Sequence, residues 1–590
     1  MARNKYNVDE TLESKFDISQ LMRSMVYVRR YGKLFVAAFC FSMISIICGL
    51  LLPLFTQNAI DEYIPDKDVR SLVIAGVAII ITVIIQAVCN KTRSRATAKA
   101  GQAIIRDIRR DLFVHLQELP FDYFDSRPHG KILVRVVNYV NSVSDFLTNG
   151  MINMVLEGLS LILIAGFMIY MHPGLSLVVF SGIPVFVVFL FAIKGVQRRA
   201  WQMQANKQSN YTAYLAESIN GERVTQSFAR EEYNSNINQG LSLEAKDAFM
   251  KAVTVNHSIW PLTLILTKIT TYALYIIGIL YFRDSLEVGV IIAMTNYASR
   301  FWQPIQNISS NYNQLINTVS YLERIFQLMD EPVTVTDEPD AEALPEIQGE
   351  VTFDHVIFEY EKNRPILKDV SFQAKAGESI ALVGPTGAGK STIVNLVSRF
   401  YNIKSGQVLI DNHDIAKATL RSIRSQMGIM LQDTFIFSGT IMENIRYGRL
   451  DATDEECIAA AKQVFADEFI RKLPDGYYTQ VNERGDVLSA GQRQLLSFAR
   501  TLLSNPKILI LDEATSSIDT NTELLVQEGI KQLLKNRTSF IVAHRISTIK
   551  GCDRIMYISD GKIAESGNHE ELMKKKGHYY QLYTSQLTNE

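Results

Sequence analysis

Between residues 34 and 302 the chain alternates apolar stretches with polar ones. The apolar stretches, 34–56, 71–89, 152–171, 175–193, 261–282 and 286–302, are each about as long as the roughly 20 residues that cross a hydrocarbon core. They predict six transmembrane helices. The competing reading, buried helices of a soluble protein, is disfavoured by six such stretches before residue 310 and soluble-looking sequence after 340. Residues 90–145 and 195–255 are polar, rich in Arg, Lys, Gln and Asn, and short of Pro and Gly. They predict helices that run on past the membrane, where about twenty extra residues at 1.5 Å each reach about 30 Å further. Turns are expected at Pro120 to Gly130 and around Ala213 to Gly221.

Charge orients this pattern. Arg23, Arg29, Arg30 and Lys33 precede the first stretch, and Lys91, Arg93, Arg95, Lys99, Arg106, Arg109 and Arg110 follow the second, which marks those sides as cytoplasmic. The short connections at Ile60 to Asp68, His172 to Gly174 and Arg283 to Ser285 carry few basic residues and are expected outside, so both termini fall in the cytoplasm. The first 33 residues lack the order of a signal peptide, and no cleavage is expected. Phe16, Ile18, Leu21, Met22, Met25 and Val26 recur at helical spacing among basic residues, which suggests a helix lying in the inner membrane interface; an ordinary packed helix is the alternative. At 590 residues, 47% of them apolar, the chain is too long for one core. Five cysteines without a CxxC pair indicate neither a disulfide framework nor a metal site, and a net charge of −1 says nothing about partners.

From Met329 to Pro345 the sequence turns acidic, polar and proline-punctuated, as a linker does. A β-rich opening follows at Val351 to Tyr360, then the apolar strand Ser379 to Val383 and a helix from Lys390 onward. Between strand and helix stands Gly384-Pro385-Thr386-Gly387-Ala388-Gly389-Lys390-Ser391, followed by Thr392. Its glycines let consecutive N–H groups face phosphate oxygens at the positive end of the helix, Lys390 adds a charge for the outer phosphates, and the Ser391 hydroxyl is placed to ligate Mg²⁺. The apolar run Ile508 to Leu511 predicts a buried parallel strand that presents Asp512 to the magnesium and Glu513 to the attacking water. An acidic pair merely capping a strand end is the alternative, which the phosphate loop disfavours. His544, after the strand Ser539 to Ala543, is a candidate partner of the γ-phosphate. Together these residues imply ATP hydrolysis.

Residues 345–590 resemble the nucleotide-binding domain of ATP-binding-cassette proteins, and residues 15–330 the membrane half of their type IV exporters. The expected fold is a six-helix membrane domain over 1–330 with an N-terminal interfacial helix and long cytoplasmic extensions. A linker over 331–344 and a cytoplasmic α/β P-loop ATPase domain over 345–590 complete it. The resemblance implies that Tyr360 stacks on adenine and that Gln432 reaches Mg²⁺ and senses the γ-phosphate. It also implies that Ser489, Gly491 and Gln492 form the signature loop, that Ser517-Ile518-Asp519 is the D-loop, and that His544 is the switch histidine. Glu483-Arg484-Gly485 resembles the segment placed beside the coupling helices, with Phe121 to Phe124 and Tyr214 to Arg223 as the contacts between halves. Each ATP is then expected between one subunit's phosphate loop and the other's signature loop.

Two positions depart from the family pattern: Ala490 stands where the signature has Gly, and Asn482 where Gly is usual. A methyl at 490 crowds the partner's nucleotide if that position needs positive φ or close backbone approach. In heterodimeric exporters of this family the subunit that keeps the catalytic glutamate tends to carry the altered signature, so a second, different half-transporter is expected in preference to self-pairing. Within the spans, Glu157, Lys268 and Arg300 are costly in hydrocarbon unless they face a cavity or a partner. Each lies about 14 to 15 residues from the outer end of its span, roughly 20 Å deep. With Tyr272, Tyr275, Tyr297, Phe301 and Trp302 they are candidates to line an amphipathic path; pairing with one another, or snorkelling inward, is the alternative. The expected function is ATP-driven export of amphipathic or lipophilic compounds, of multidrug type, across the cytoplasmic membrane. Lipid or peptide export, or an ATP-regulated sensor or channel, is the alternative, although no N-terminal peptidase domain precedes the spans. No nucleic-acid partner is expected, because the spans exclude a soluble factor acting on ribosomes or DNA.

Overall fold

The computed structural model describes residues 18–127, 129–282, 287–361, 363–430, 434–482, 485, 487–512, 520–542 and 546–587. They form two compact units, one of residues 1–117 and 128–331, the other of residues 118–127 and 332–590.

Among its described residues the first unit is built of helices joined by short turns. Five helices among the described residues are long and apolar enough to cross a membrane: Gly32–Tyr63, Val69–Glu118, Ile132–Met171, Pro173–Asn220 and Glu231–Tyr281. Of the sixth expected span, 286–302, residues 288–302 lie in the helix Val288–Met329, which at 42 residues is long enough but is not among the five. Asn296, Arg300 and Gln303 make the apolar stretch of this helix more polar than those of the five. It packs against Gly32–Asn58, Met151–Met171 and Ile259–Tyr281, and its polar side chains are satisfied by neighbouring helices rather than excluded from the apolar medium. Asn307 donates to Glu157 at 2.6 Å, Arg300 to the Gly49 carbonyl at 2.5 Å, and Gln306 to the Thr263 hydroxyl.

Val69–Glu118 spans 50 residues, roughly 75 Å at 1.5 Å per residue, more than twice a hydrocarbon core. Gly182–Asn220 and Glu231–His257 pack side by side as a hairpin. Buried Ala245, Ala248 and Ala252 allow the close approach, and Lys207–Glu244 at 2.9 Å and Gln197–Asn256 at 2.7 Å bridge the edges. The reversal, expected around Ala213 to Gly221, begins only at Gly221, the last residue of that stretch. The helix continues to Asn220, and the chain turns through Glu222–Ser227 and Ala229 at φ 49° before resuming at Glu231. The physical cause is Tyr214, which is buried and donates to the Asn234 carbonyl at 3.0 Å, so it locks the hairpin instead of forming its tip.

The N-terminal helix Ile18–Arg30 has one packed face and one open face. Arg23 makes two hydrogen bonds to Asp330, at 2.6 and 2.7 Å, over the Phe326 ring, and Tyr27 donates to Asp111 at 3.1 Å. Met22 and Val26 stay exposed.

The second unit carries twelve strands among its described residues: β1 (Val351–Glu361), β2 (Arg364–Ala374), β3 (Ser379–Val383), β4 (Ser405–Ile410), β5 (His413–Asp414), β6 (Met427–Met430), β7 (Gly439–Thr440), β8 (Gln480–Val481), β9 (Ile508–Asp512), β10 (Thr538–Val542), β11 (Arg554–Ser559) and β12 (Lys562–Gly567). The central sheet has the order β12-β11-β3-β10-β9-β6, parallel except for β12. Every residue of β3 and β10 is buried, as continuous apolar runs inside a parallel sheet require. An antiparallel sheet β2-β1-β4-β5 closes one core, and β7 pairs with β8. Residues 332–344 lie along this unit instead of hanging free: Asn402 donates to the Thr334 carbonyl, Arg399 to the Thr336 carbonyl, and Asp337 accepts from the Leu420 N–H.

Candidate functional site

The loop at the carboxyl end of β3 is shaped by left-handed backbone. Gly384 has φ 143°, and a Cβ there would lie 2.1 Å from the Ile558 carbonyl oxygen, so no other residue fits without moving β11. Gly387 and Gly389 also take positive φ, and Gly389 caps the helix Lys390–Val397. The Lys390 side chain folds back into the loop, where its ammonium donates to the carbonyls of Gly384 at 2.8 Å and Pro385 at 2.9 Å. It is only 7% exposed. Burial lowers its pKa, and the field of Asp512 partly opposes that shift. A buried cation held by neutral carbonyls beside a helix N-terminus lacks a full counter-charge, which phosphate oxygens supply.

Asp512 ends β9, and β10 separates it from β3, with Val542 opposite both Leu382 and Asp512. Two strand spacings put the loop strand and the aspartate strand roughly 10 Å apart, a span a triphosphate and its cation can fill. The candidate metal ligands fit a hard divalent cation, since Ser391 and Asp512 offer only oxygen. Thr392 is buried on the same helix and its hydroxyl accepts from Tyr360 at 3.3 Å. Pro385, Thr386, Gly387 and Ala388 line a cleft with Lys368 and Asp560. Gln432, Glu513, Asp519 and His544 lie outside the described residues, as do Glu483 and Arg484.

The signature segment forms a helix start. Ser489 caps Ala490–Leu503, accepting from Gln492 N–H at 3.2 Å, while the Gln492 side chain accepts from Ser489 N–H at 2.9 Å. This reciprocal cap holds both polar side chains at the mouth of the helix, with Gly491 buried behind them. Ala490 is the first helical residue and does not take positive φ. Of the two ways a methyl could crowd there, strain in its own backbone is removed.

In the helical unit, Tyr297, Phe301 and Trp302 are buried at 0, 2 and 1% exposure. They do not line open space as expected: the Tyr297 hydroxyl donates to the Leu50 carbonyl, and Trp302 packs on Gly182 and Phe186. Glu157, Lys268 and Arg300 are not brought together. Glu157 is held by Asn307 and Arg300 by Gly49, while Lys268 is exposed beside exposed Tyr272.

One group escaped the sequence reading. Arg399, Phe400, Tyr401 and Asn402, at the exit of the phosphate-loop helix, hold the short helix Phe121–Asp125 as well as the 332–344 segment. The Phe121 and Phe400 rings are 4.2 Å apart, and Tyr401 donates to Asp125 at 2.8 Å. Its traces in the sequence are the aromatic pair just past that helix and the alternating aromatics and carboxylates after Pro120.

A glycine loop cradling a buried lysine, an aspartate strand one strand away and a capped signature helix, on one chain with long apolar helices, define an ATP-binding-cassette exporter half. The comparisons agree. Residues 35–305 match the ABC transporter transmembrane region and 367–516 the ABC transporter domain. The uncharacterised ABC transporter ATP-binding protein YknV of Bacillus subtilis is 41% identical, over 100% of this chain and 98% of its own length. YgaD of the same organism, provisionally named a multidrug export ATP-binding/permease protein, is 34% identical over 96% of this chain and 100% of its own. Among solved structures, a bacterial Atm1-family ABC exporter with ATP bound matches at a TM-score of 0.79 and 28% identity, covering 95% of this chain and 98% of that one. The chain belongs to the ABC transporter family. It is a multi-pass membrane protein whose ATPase activity is coupled to export, and such half-transporters work as dimers in a bilayer.

Proposed function

We propose that this half-transporter exports amphipathic or lipophilic compounds across the cytoplasmic membrane by alternating access, with both termini and the nucleotide unit in the cytoplasm. The reading is carried by the buried Lys390, held in the phosphate loop by the Gly384 and Pro385 carbonyls. Tyr360 supports the base, the 384–391 backbone and Lys390 bind the phosphates, and Ser391, Asp512 and Gln432 hold Mg²⁺, which offsets phosphate charge. Glu513 orients and polarises the attacking water, and His544 contacts the γ-phosphate. Ser489, Gly491, Gln492 and Asp519 act on the nucleotide of the opposite half, which is a different chain. A domain plan of 1–330, 331–344 and 345–590 serves this division of labour.

Support for the substrate class comes from relatives provisionally named multidrug exporters. Sealed inside-out vesicles that hold this chain and its partner test it, with ethidium as the probe. Accumulation against a gradient that needs ATP and disappears in Glu513→Gln is the expected result. ATP-independent equilibration would indicate a channel, and ATP turnover without ethidium uptake would remove the multidrug reading.

A further inference from the structure

The four residues that leave the phosphate-loop helix join three parts of the second unit. Tyr401 meets the Tyr360 ring edge-on, with centroids 5.0 Å apart and planes at 87°, and Phe358 closes the triangle at 4.7 Å from Tyr360 and 5.8 Å from Tyr401. From the opposite end of the same ring, the Tyr401 hydroxyl donates to the Asp125 carboxylate at 2.8 Å. Burial, then the Asp125 bond and charge, push the Tyr401 phenol far above its ordinary range, so it stays a donor at any physiological pH. Beside it, Phe400 meets Phe121 at a tilt of 33° and lies under the Arg424 guanidinium at 5.2 Å. Arg424 in turn donates to the Arg399 carbonyl at 2.8 Å, and Arg399 itself takes φ 48°. Tyr401 has no slack: it cannot shift without disturbing either Tyr360 or Asp125.

We propose that Tyr401 is a positioning residue that ties the base-stacking Tyr360 to the Phe121–Asp125 helix, so that a bound adenine tightens the docking of that helix. The inference rests on the reading of Tyr360 as the base platform. A base on the exposed outer face of Tyr360, which is 42% exposed, restricts the ring. The restricted ring keeps its perpendicular contact with Tyr401 and so holds the hydroxyl in line with Asp125. By reciprocity, a docked Phe121–Asp125 helix favours nucleotide binding by the same factor. Tyr401→Phe keeps the ring contacts and deletes only the hydrogen bond, whereas Asp125→Asn keeps an acceptor but removes the charge.

The test uses full-length protein in lipid nanodiscs and needs no transported substrate. Amide hydrogen exchange over 120–126 is measured with and without ATP, alongside ATP affinity, with the 222–227 turn as an internal control. In the wild type, ATP is expected to slow exchange over 120–126. In Tyr401→Phe and in Asp125→Asn that slowing should shrink by about tenfold, the worth of one hydrogen bond to a carboxylate, with 222–227 unaffected. The double variant should lose no more than either single one, because both remove the same link. Wild-type slowing in Tyr401→Phe, additive losses in the double variant, or equal changes at 222–227 would each overturn the proposal. ATP binding without any slowing in the wild type overturns it alone. ATP binding that is indifferent to Tyr360→Ala overturns the base-platform reading and the inference together.

Discussion

The phosphate loop depends on a small number of irreplaceable atoms. The Lys390 ammonium is already desolvated and pointed into the loop by two carbonyls, so Lys390→Ala removes a charge held in place rather than a flexible one. ATP affinity, measured by titration of the full-length protein, should fall roughly tenfold or more, the worth of one charge-assisted hydrogen bond. Glu513→Gln belongs to a different step. It should leave ATP bound while turnover drops roughly a hundredfold or more, as loss of a general base does; unchanged turnover would remove the role given to that carboxylate. Ser489→Ala breaks the reciprocal cap at Ala490–Leu503. It should cost about 1 kcal/mol of stability in thermal unfolding, and Ser489→Asp, which keeps an acceptor, should recover most of it.

Elements were legible to different degrees, for physical reasons. β3, β9 and β10 are buried on both faces, so they are continuous apolar runs, and the loop and Asp512 at their ends follow from the strands. The hairpin Gly182–Asn220 and Glu231–His257 was legible as long polar helices, but its reversal was misplaced by several residues, because nothing in the sequence tells that Tyr214 bonds across to Asn234. Tyr297 and Phe301 share a helix face at a spacing of four, and Trp302 points about 100° away from Phe301. That pattern suits a lined cavity and a packed interior equally, and only the neighbouring helices decide. Gly182 is the neighbour that decides for Trp302: a Cβ there would lie 2.7 Å from the indole ring. Gly182→Val should therefore overpack this site and cost about 1–3 kcal/mol, read as a lower melting temperature, with a smaller change for Gly182→Ala. The grip of residues 399–402 on Phe121–Asp125 was not legible, since two aromatic clusters far apart in sequence carry no mark of pairing.

At the scale of the whole molecule the open question is which chain faces the signature helix, and Ala490 makes it testable. Its backbone is ordinary helix, so the methyl strains nothing in its own protomer. Any cost must arise where the helix mouth approaches the partner's nucleotide. If the chain pairs with a different half, selection never acted on that approach in a self-pair, and the self-paired form should hydrolyse ATP poorly. Removing the methyl should then raise turnover of the purified chain alone, in nanodiscs, by about tenfold, since one overpacked methyl costs about 1–3 kcal/mol. Ala490→Gly in the pair with its natural partner should help only the site that uses this signature, which separates relief of crowding from a general gain in stability. Full ATPase activity of the unaltered chain by itself would instead mean that self-pairing tolerates the methyl, and the preference for a different partner would fall.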